Sequence, residues 1–443
     1  MFRSVFIPIG VGTFDQTAAL TAFSEAKEVL QGLDTALISP PGPLLSADAA
    51  AGFCADVQAQ LAVVFNNTFA NGAYTAEVLR ALDCPVLLWT PEEPYPDTGR
   101  LKLNALTGAF SAANMMRTVG RPYVFVYGSP KDPETLASLR SVYGAARVKA
   151  ALRTLDLLQV GHTPQGFGFG RATDAAMQKY FGARLHSIEA RELIDAARAF
   201  TEEDVAPYLA DAKRRIAGLD RIEQKNVLDF ARLYRAYDEY IKQNHIGALA
   251  SRCWPDFFTA FGTPVCAVLS ILGDLGVPAA CEADAYGALS MFIAAELTGK
   301  PAFFGDPVAL DKAEDTVTFW HCGTAACSLA RTDTGAEAGV HCNRRIGPTL
   351  EFGCKPEKEV TVLRVGLDPD GKPRILAARG EALDRPKQYF GTSIVVRPAC
   401  GAQTLIHGGV AYGWEPHFAI AMADVTGAID ALGKMLGVEV FLF

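Results

Sequence analysis

Residues 281 to 306 read CEADAYGALSMFIAAELTGKPAFFGD, an apolar segment with Glu282 near its start and Asp306 at its end. The preceding VPAAC reads as a short strand, DAYGALSMFIAAELTG as a helix that stops at Gly299 ahead of Pro301, and AFFGD as another strand. This order predicts a β-α-β crossover, whose two parallel strands put their C-terminal ends on one edge of a sheet. Open α/β sheets hold their ligands at that edge, so both carboxylates are expected at one site despite their separation in sequence. Two converging carboxylates repel each other unless one is protonated or a cation lies between them, and a hard divalent ion is the simplest solution. Taken alone, the two acids also fit an ordinary helix-flanking role, with Glu282 favoured by the N-terminal dipole and Asp306 capping the next turn.

Working outward, the first third of the chain alternates β-branched runs with helical stretches: VFIPIGV (5–11), TALIS (35–39), LAVVF (61–65), CPVLLW (84–89) and YVFVYG (123–128). Such alternation predicts a parallel sheet covered by helices. A long helical pattern from Pro133 to Leu152 leads to LLQVGH and a second α/β unit. After about Ala330 the texture changes, and EVTVLRVGLDPDGKPRILAARG reads as two β-rich arms joined by the turn DPDGKP. The expected fold is therefore α/β, with two Rossmann-like α/β domains (1–154 and 155–305, the second carrying Glu282) followed by a mainly antiparallel β domain (306–443). The active site is expected at the junction of the last two.

Composition narrows the function. The 443-residue chain is half hydrophobic, so it can bury a sizeable core, and its formal net charge of −8 argues against a nucleic-acid partner, which needs clustered Lys and Arg. Ten cysteines without CxxC spacing suit free thiols in a reducing compartment, and a cytoplasmic location is expected. No run of eighteen apolar residues predicts a membrane span, and the N-terminus reads as a first strand. GVGTFD (10–15) and GFGFG (166–170) lack the full dinucleotide fingerprint and read as tight turns. P-loop and GxSxG motifs are absent.

The seven histidines include two in apolar, glycine-containing contexts: His321 in TFWHCGTAACSLA and His417 in YGWEPHFAIAMAD. Singly, each reads first as a satisfied core residue. Together with the acids they make a carboxylate-plus-imidazole donor set, which suits Mn, Fe or Co better than a structural zinc centre.

These residues resemble a known family. The run from Glu282 to Asp306 is similar to the metal-binding segment of L-fucose isomerase, and PHFAIAMADVTGAIDALGKMLGVEV resembles that family's final metal-histidine segment. CPVLLWTPEEP, LKLNALTGAF and RCWPDF also resemble the broader L-fucose/L-arabinose isomerase group. The resemblance implies Glu282, Asp306 and His417 as metal ligands, Mn²⁺ as cofactor with Co²⁺ or Fe²⁺ as alternatives, and Glu282 and Asp306 as the acid/base pair. It matches His321 more loosely, to a further metal histidine or a sugar contact, and leaves His407 in LIHGGVAYG as a competing choice for the last ligand. It also implies a homo-oligomer, trimeric or hexameric, whose sites a neighbouring N-terminal domain completes; the acidic loop TPEEPYPD is a candidate for that role.

The activity so implied is aldose/ketose isomerisation of a free sugar through a cis-enediolate, with the metal on O1 and O2. Trp254 and Trp414 are candidate platforms for the sugar's apolar face, though either also reads as core. Arg252 and the pair Arg344–Arg345 are candidates for an anionic substituent, which gives the alternative reading of an isomerase acting on a sulfonated or otherwise modified sugar; a solvated turn explains them too. A non-catalytic sugar-binding protein of the same fold is the alternative from a different class.

Overall fold

The structure, a computed structural model, describes residues 2–443. Contacts divide the chain into two compact units, one of residues 1–151 with 427–438 and one of residues 152–426 with 439–443.

In the first unit four parallel strands lie in chain order: β1 (Ser4–Ile9), β2 (Leu61–Asn66), β3 (Val86–Thr90) and β4 (Tyr123–Tyr127). The first three are buried along their whole length, which is why they read as unbroken apolar runs. β4 alternates buried and exposed positions, as an edge strand does. The expected strand at 35–39 contributes only a bridge between Val5 and Ile38.

The second unit holds two sheets. Its parallel sheet runs β6 (Arg184–Ile188), β5 (Asp156–Val160), β7 (Ala248–Ser251), β8 (Ala279–Cys281). The other has nine strands, in the order β11 (Glu337–Gly339), β12 (Thr349–Gly353), β15 (Thr392–Pro398), β10 (Thr316–His321), β9 (Phe303–Asp311), β16 (Phe418–Ala421), β13 (Glu357–Leu367), β14 (Pro373–Ala382), β17 (Glu439–Leu442). β14 also pairs with β15, so the six strands β15-β10-β9-β16-β13-β14 close on themselves as an antiparallel barrel. Mixed α/β architecture with parallel sheets and a large, mostly antiparallel C-terminal sheet is the fold class expected from the sequence.

The route between the two acids differs from expectation. β8 is the edge of the parallel sheet, whereas β9 pairs antiparallel with β10 and β16 in the other sheet, so the segment is no single-sheet crossover. The helix between them, Ala285–Thr298, explains the difference. Every residue from Ala285 to Ala294 is buried, and the helix packs on β7 and β8 as well as on β13 and β16. A helix apolar all round needs partners on all sides. It serves as a layer shared by two sheets and delivers Glu282 from one and Asp306 from the other.

Candidate metal and sugar site

β8 ends at Cys281, and the chain then turns through two consecutive non-glycine residues in the left-handed region, Glu282 (φ 59°) and Ala283 (φ 56°). Such geometry costs roughly 1–2 kcal/mol per residue and is found where surrounding structure holds a functional group in place. The turn ends at Asp284, whose carboxylate caps the helix by accepting the Gly287 N–H at 2.8 Å.

His417 lies just before β16 and is almost wholly buried. It donates Nδ1–H to Asp284 Oδ2 at 2.9 Å, which turns Nε2 toward Glu282 Oε2 at 3.0 Å and Asp306 Oδ1 at 3.4 Å. Glu282, Asp306 and His417 thus converge. His321, at the end of β10, joins them: one donor atom each from Glu282, His321 and His417 lies within 4.8 Å of the others. His407 stands exposed on the helix Ala402–Ala411, apart from this cluster.

Electrostatics separate the two acids. Burial raises the Glu282 carboxyl, but His417, His321 and the Trp254 indole outweigh it and hold the group below its ordinary value. For Asp306 burial dominates, Glu282 adds to it, and the group is held above its ordinary value. A pair pushed apart in this way is suited to divided base and acid roles. Burial pulls His417 down, yet the Asp284 and Glu282 carboxylates more than offset it and push the imidazole up to about 9. For His321 burial is again opposed, by Cys322 and the two acids, and the group rises to about 10. Glu282, His321 and His417, with the half-buried Asp306 beside His417, are a carboxylate-plus-imidazole donor set that fits a divalent ion of the Mn, Fe or Co kind.

Behind His417 stands a support that the sequence reading missed. Arg364, fully buried on β13, holds Asp284 through two bonds of 2.6 and 3.2 Å. Burial raises the Asp284 carboxyl, but Arg364 and His417 overcome it and keep it well below the usual carboxylate range. A carboxylate on the far nitrogen of a ligating histidine fixes its tautomer and orientation. The GFGFG turn belongs here as well. The rings of Phe169 and Phe167 pack against His417, with centroids 5.2 and 6.2 Å away, and Phe167 also meets Trp254. A Cβ on Gly170 would stand 2.8 Å from Asp284 Cα, so only glycine permits this approach. We expect Gly170→Ala to destabilise the protein by about 1–3 kcal/mol, measured by urea unfolding, because the backbone it meets cannot yield.

A pocket of about 240 Å³ opens on the cluster, lined by Trp254, Glu282, Asp306, Trp320, His321 and Arg344 among others. Trp254 lines it and donates its indole N–H to Glu282 Oε1 at 3.0 Å. Trp414 does not line it: its ring packs on Arg374 and Phe441, away from the expected sugar platform. Arg252 does not line it either: its Nε meets Asp256 at 2.8 Å and the Trp254 carbonyl at 3.2 Å. His341 was missed by the sequence reading. It lines the pocket, and its Nδ1 accepts the backbone N–H groups of Asn343 and Arg344, which leaves Nε2 as its N–H donor.

A strained acidic turn, an oriented imidazole and a small polar pocket define an enzyme for a small polar substrate. No protein-family model matches the chain. It is 49% identical over 439 residues to a sulfoquinovose isomerase of Clostridium sp. (strain MSTE9), covering 99% of this chain and 98% of the relative. It is 36% identical to the sulfoquinovose isomerase of Priestia aryabhattai, with 98% of each covered, and 35% identical to that of Alkalicoccus urumqiensis, with 99% of each covered. The chain belongs to the sulfoquinovose isomerase family and is an isomerase of carbohydrate metabolism.

Proposed function

We propose that the protein is an aldose–ketose isomerase of a sulfonated hexose, sulfoquinovose or a close analogue. The relatives' common name favours this substrate over an unmodified free sugar. The observation that carries the chemistry is the convergence of Glu282 and Asp306 on His417 Nε2. The likeness to L-fucose and L-arabinose isomerases is part of the same reading.

Glu282, Asp306 and His417 would hold the divalent ion, manganese in this reading, with His321 beside them as a further donor or a sugar contact. When bound, the ion supplies Lewis acidity that stabilises negative charge on two adjacent sugar oxygens. Glu282, held ionised, accepts the proton from C2 of the aldose. Asp306, on the other side of His417 Nε2, returns a proton to C1, while the hydroxyl proton of O2 passes to O1, so that the ketose forms with no net gain or loss of protons. Asp284 keeps the His417 ring turned toward both acids. Phe167 and Phe169 exclude water from the back of the imidazole.

Two wider expectations belong to this reading. All ten cysteines are free thiols, in keeping with a reducing cytoplasm, and among the described residues no helix is long and apolar enough to cross a membrane. The outward residues Phe125 and Tyr127 of the β4 edge are nearly half exposed, which supports a homo-oligomer built in part on that edge.

Incubating the manganese-loaded protein with a panel of free and sulfonated aldoses tests the reading. Ketose should form fastest from the sulfonated hexose. Preference for an uncharged aldose would return the assignment to a free-sugar isomerase, and silence on the whole panel would leave a sugar-binding protein.

A further inference from the structure

The pocket holds a cation with no obvious partner. Arg344 is the only Lys or Arg among the residues that line it, and among the described residues its guanidinium forms no ion pair or hydrogen bond. Other basic groups nearby are engaged or turned away: Arg252 with Asp256, Lys387 with Glu351, and Arg345 toward the Phe390 ring.

Arg344 is nevertheless held in place. Its guanidinium carbon lies 5.2 Å from the Trp254 ring centroid and 4.9 Å from that of Phe258. Stacking on aromatic rings engages the face of a guanidinium and leaves its N–H edge free. The backbone beneath it is pinned, because His341 Nδ1 accepts the N–H groups of Asn343 at 3.3 Å and Arg344 at 3.4 Å. Trp254 links the two ends of the pocket, since the indole that meets Arg344 also donates to Glu282. One end is therefore acidic and the other cationic. A divalent ion on the acidic end would neutralise those carboxylates and leave Arg344 as an uncompensated positive charge.

We propose that Arg344 is the specificity residue that recognises the substrate's sulfonate, with Trp254, Phe258 and the His341 pin as the groups that position it. A sulfonate is a fixed monoanion with three acceptor oxygens, matched by the two-pronged N–H edge of a guanidinium. The inference rests on the proposed function and deepens it: the C1–C2 end of the open-chain sugar meets Glu282 and Asp306 while the sulfonated C6 end meets Arg344.

The test compares kcat/KM for sulfoquinovose with kcat/KM for quinovose, the same hexose without the sulfonate, in the wild type, Arg344→Gln and Arg344→Lys. In Arg344→Gln the ratio should fall roughly 10- to 100-fold, carried mainly by a rise in KM for the sulfonated sugar. Arg344→Lys should recover part of the ratio, because it keeps the charge and loses the fork. An unchanged ratio in a folded Arg344→Gln protein, or an equal loss on both sugars, would overturn the assignment of Arg344 alone. A wild type that isomerises quinovose and ignores sulfoquinovose would overturn the proposed function beneath it.

Discussion

Replacing Glu282 by glutamine is expected to reduce ketose formation by at least 10³-fold while the unfolding midpoint stays close to that of the wild type. Glutamine has nearly the same shape, can occupy the same left-handed turn, and can still accept the Trp254 indole N–H through its amide oxygen. It cannot take a proton, and it removes a negative charge from the donor set around His417. Turnover and metal retention should therefore fall together. Steady-state ketose assays and metal analysis after gel filtration check both, and a variant that keeps near-normal rates would contradict the role of Glu282.

The second large effect concerns the buried support. Asp284 and Arg364 are both shielded from solvent, so removing either charge leaves the other buried with one remaining partner, Glu415 at 3.9 Å for Arg364 and His417 at 2.9 Å for Asp284. Asp284→Asn and Arg364→Met are each expected to cost about 3 kcal/mol of stability, because breaking a buried ion pair leaves a poorly compensated charge that is not rehydrated. Asp284→Asn should also weaken metal affinity by roughly 10- to 100-fold, through poorer orientation of His417. The double variant should lose less than the sum of the two, since the residues touch. Urea unfolding of all four proteins measures this, and strictly additive losses would mean that the pair is not coupled.

Much of this was legible in the chain. The strands of the first sheet are continuous apolar runs because both faces are covered, and Glu282, Asp306 and His417 stand in segments whose resemblance pointed to one site. The connection between the acids was misread because a strand-helix-strand pattern looks the same whether the second strand rejoins the first sheet or enters another. The all-round apolarity of Ala285–Ala294 was the available clue. Asp284 was hidden by its second role, since an Asp ahead of a helix reads as a cap, and it is one. Arg364 sits in a β-rich run whose buried charge no periodicity reveals. GFGFG signalled a turn; that its phenylalanines face His417 and its last glycine touches Asp284 depends on chain far away in sequence.

The central claim is that the carboxylate–imidazole cluster holds a divalent ion and moves a proton between adjacent carbons of a sulfonated hexose. It is tested most directly by following sulfoquinovose by ¹H NMR in D₂O with protein that has been stripped by EDTA and then reloaded with Mn²⁺. The account predicts no ketose from the stripped protein, and on reloading a ketose that carries solvent deuterium at C1. Ketose formation that proceeds equally without the metal, or a product with no solvent hydrogen at C1, would contradict it.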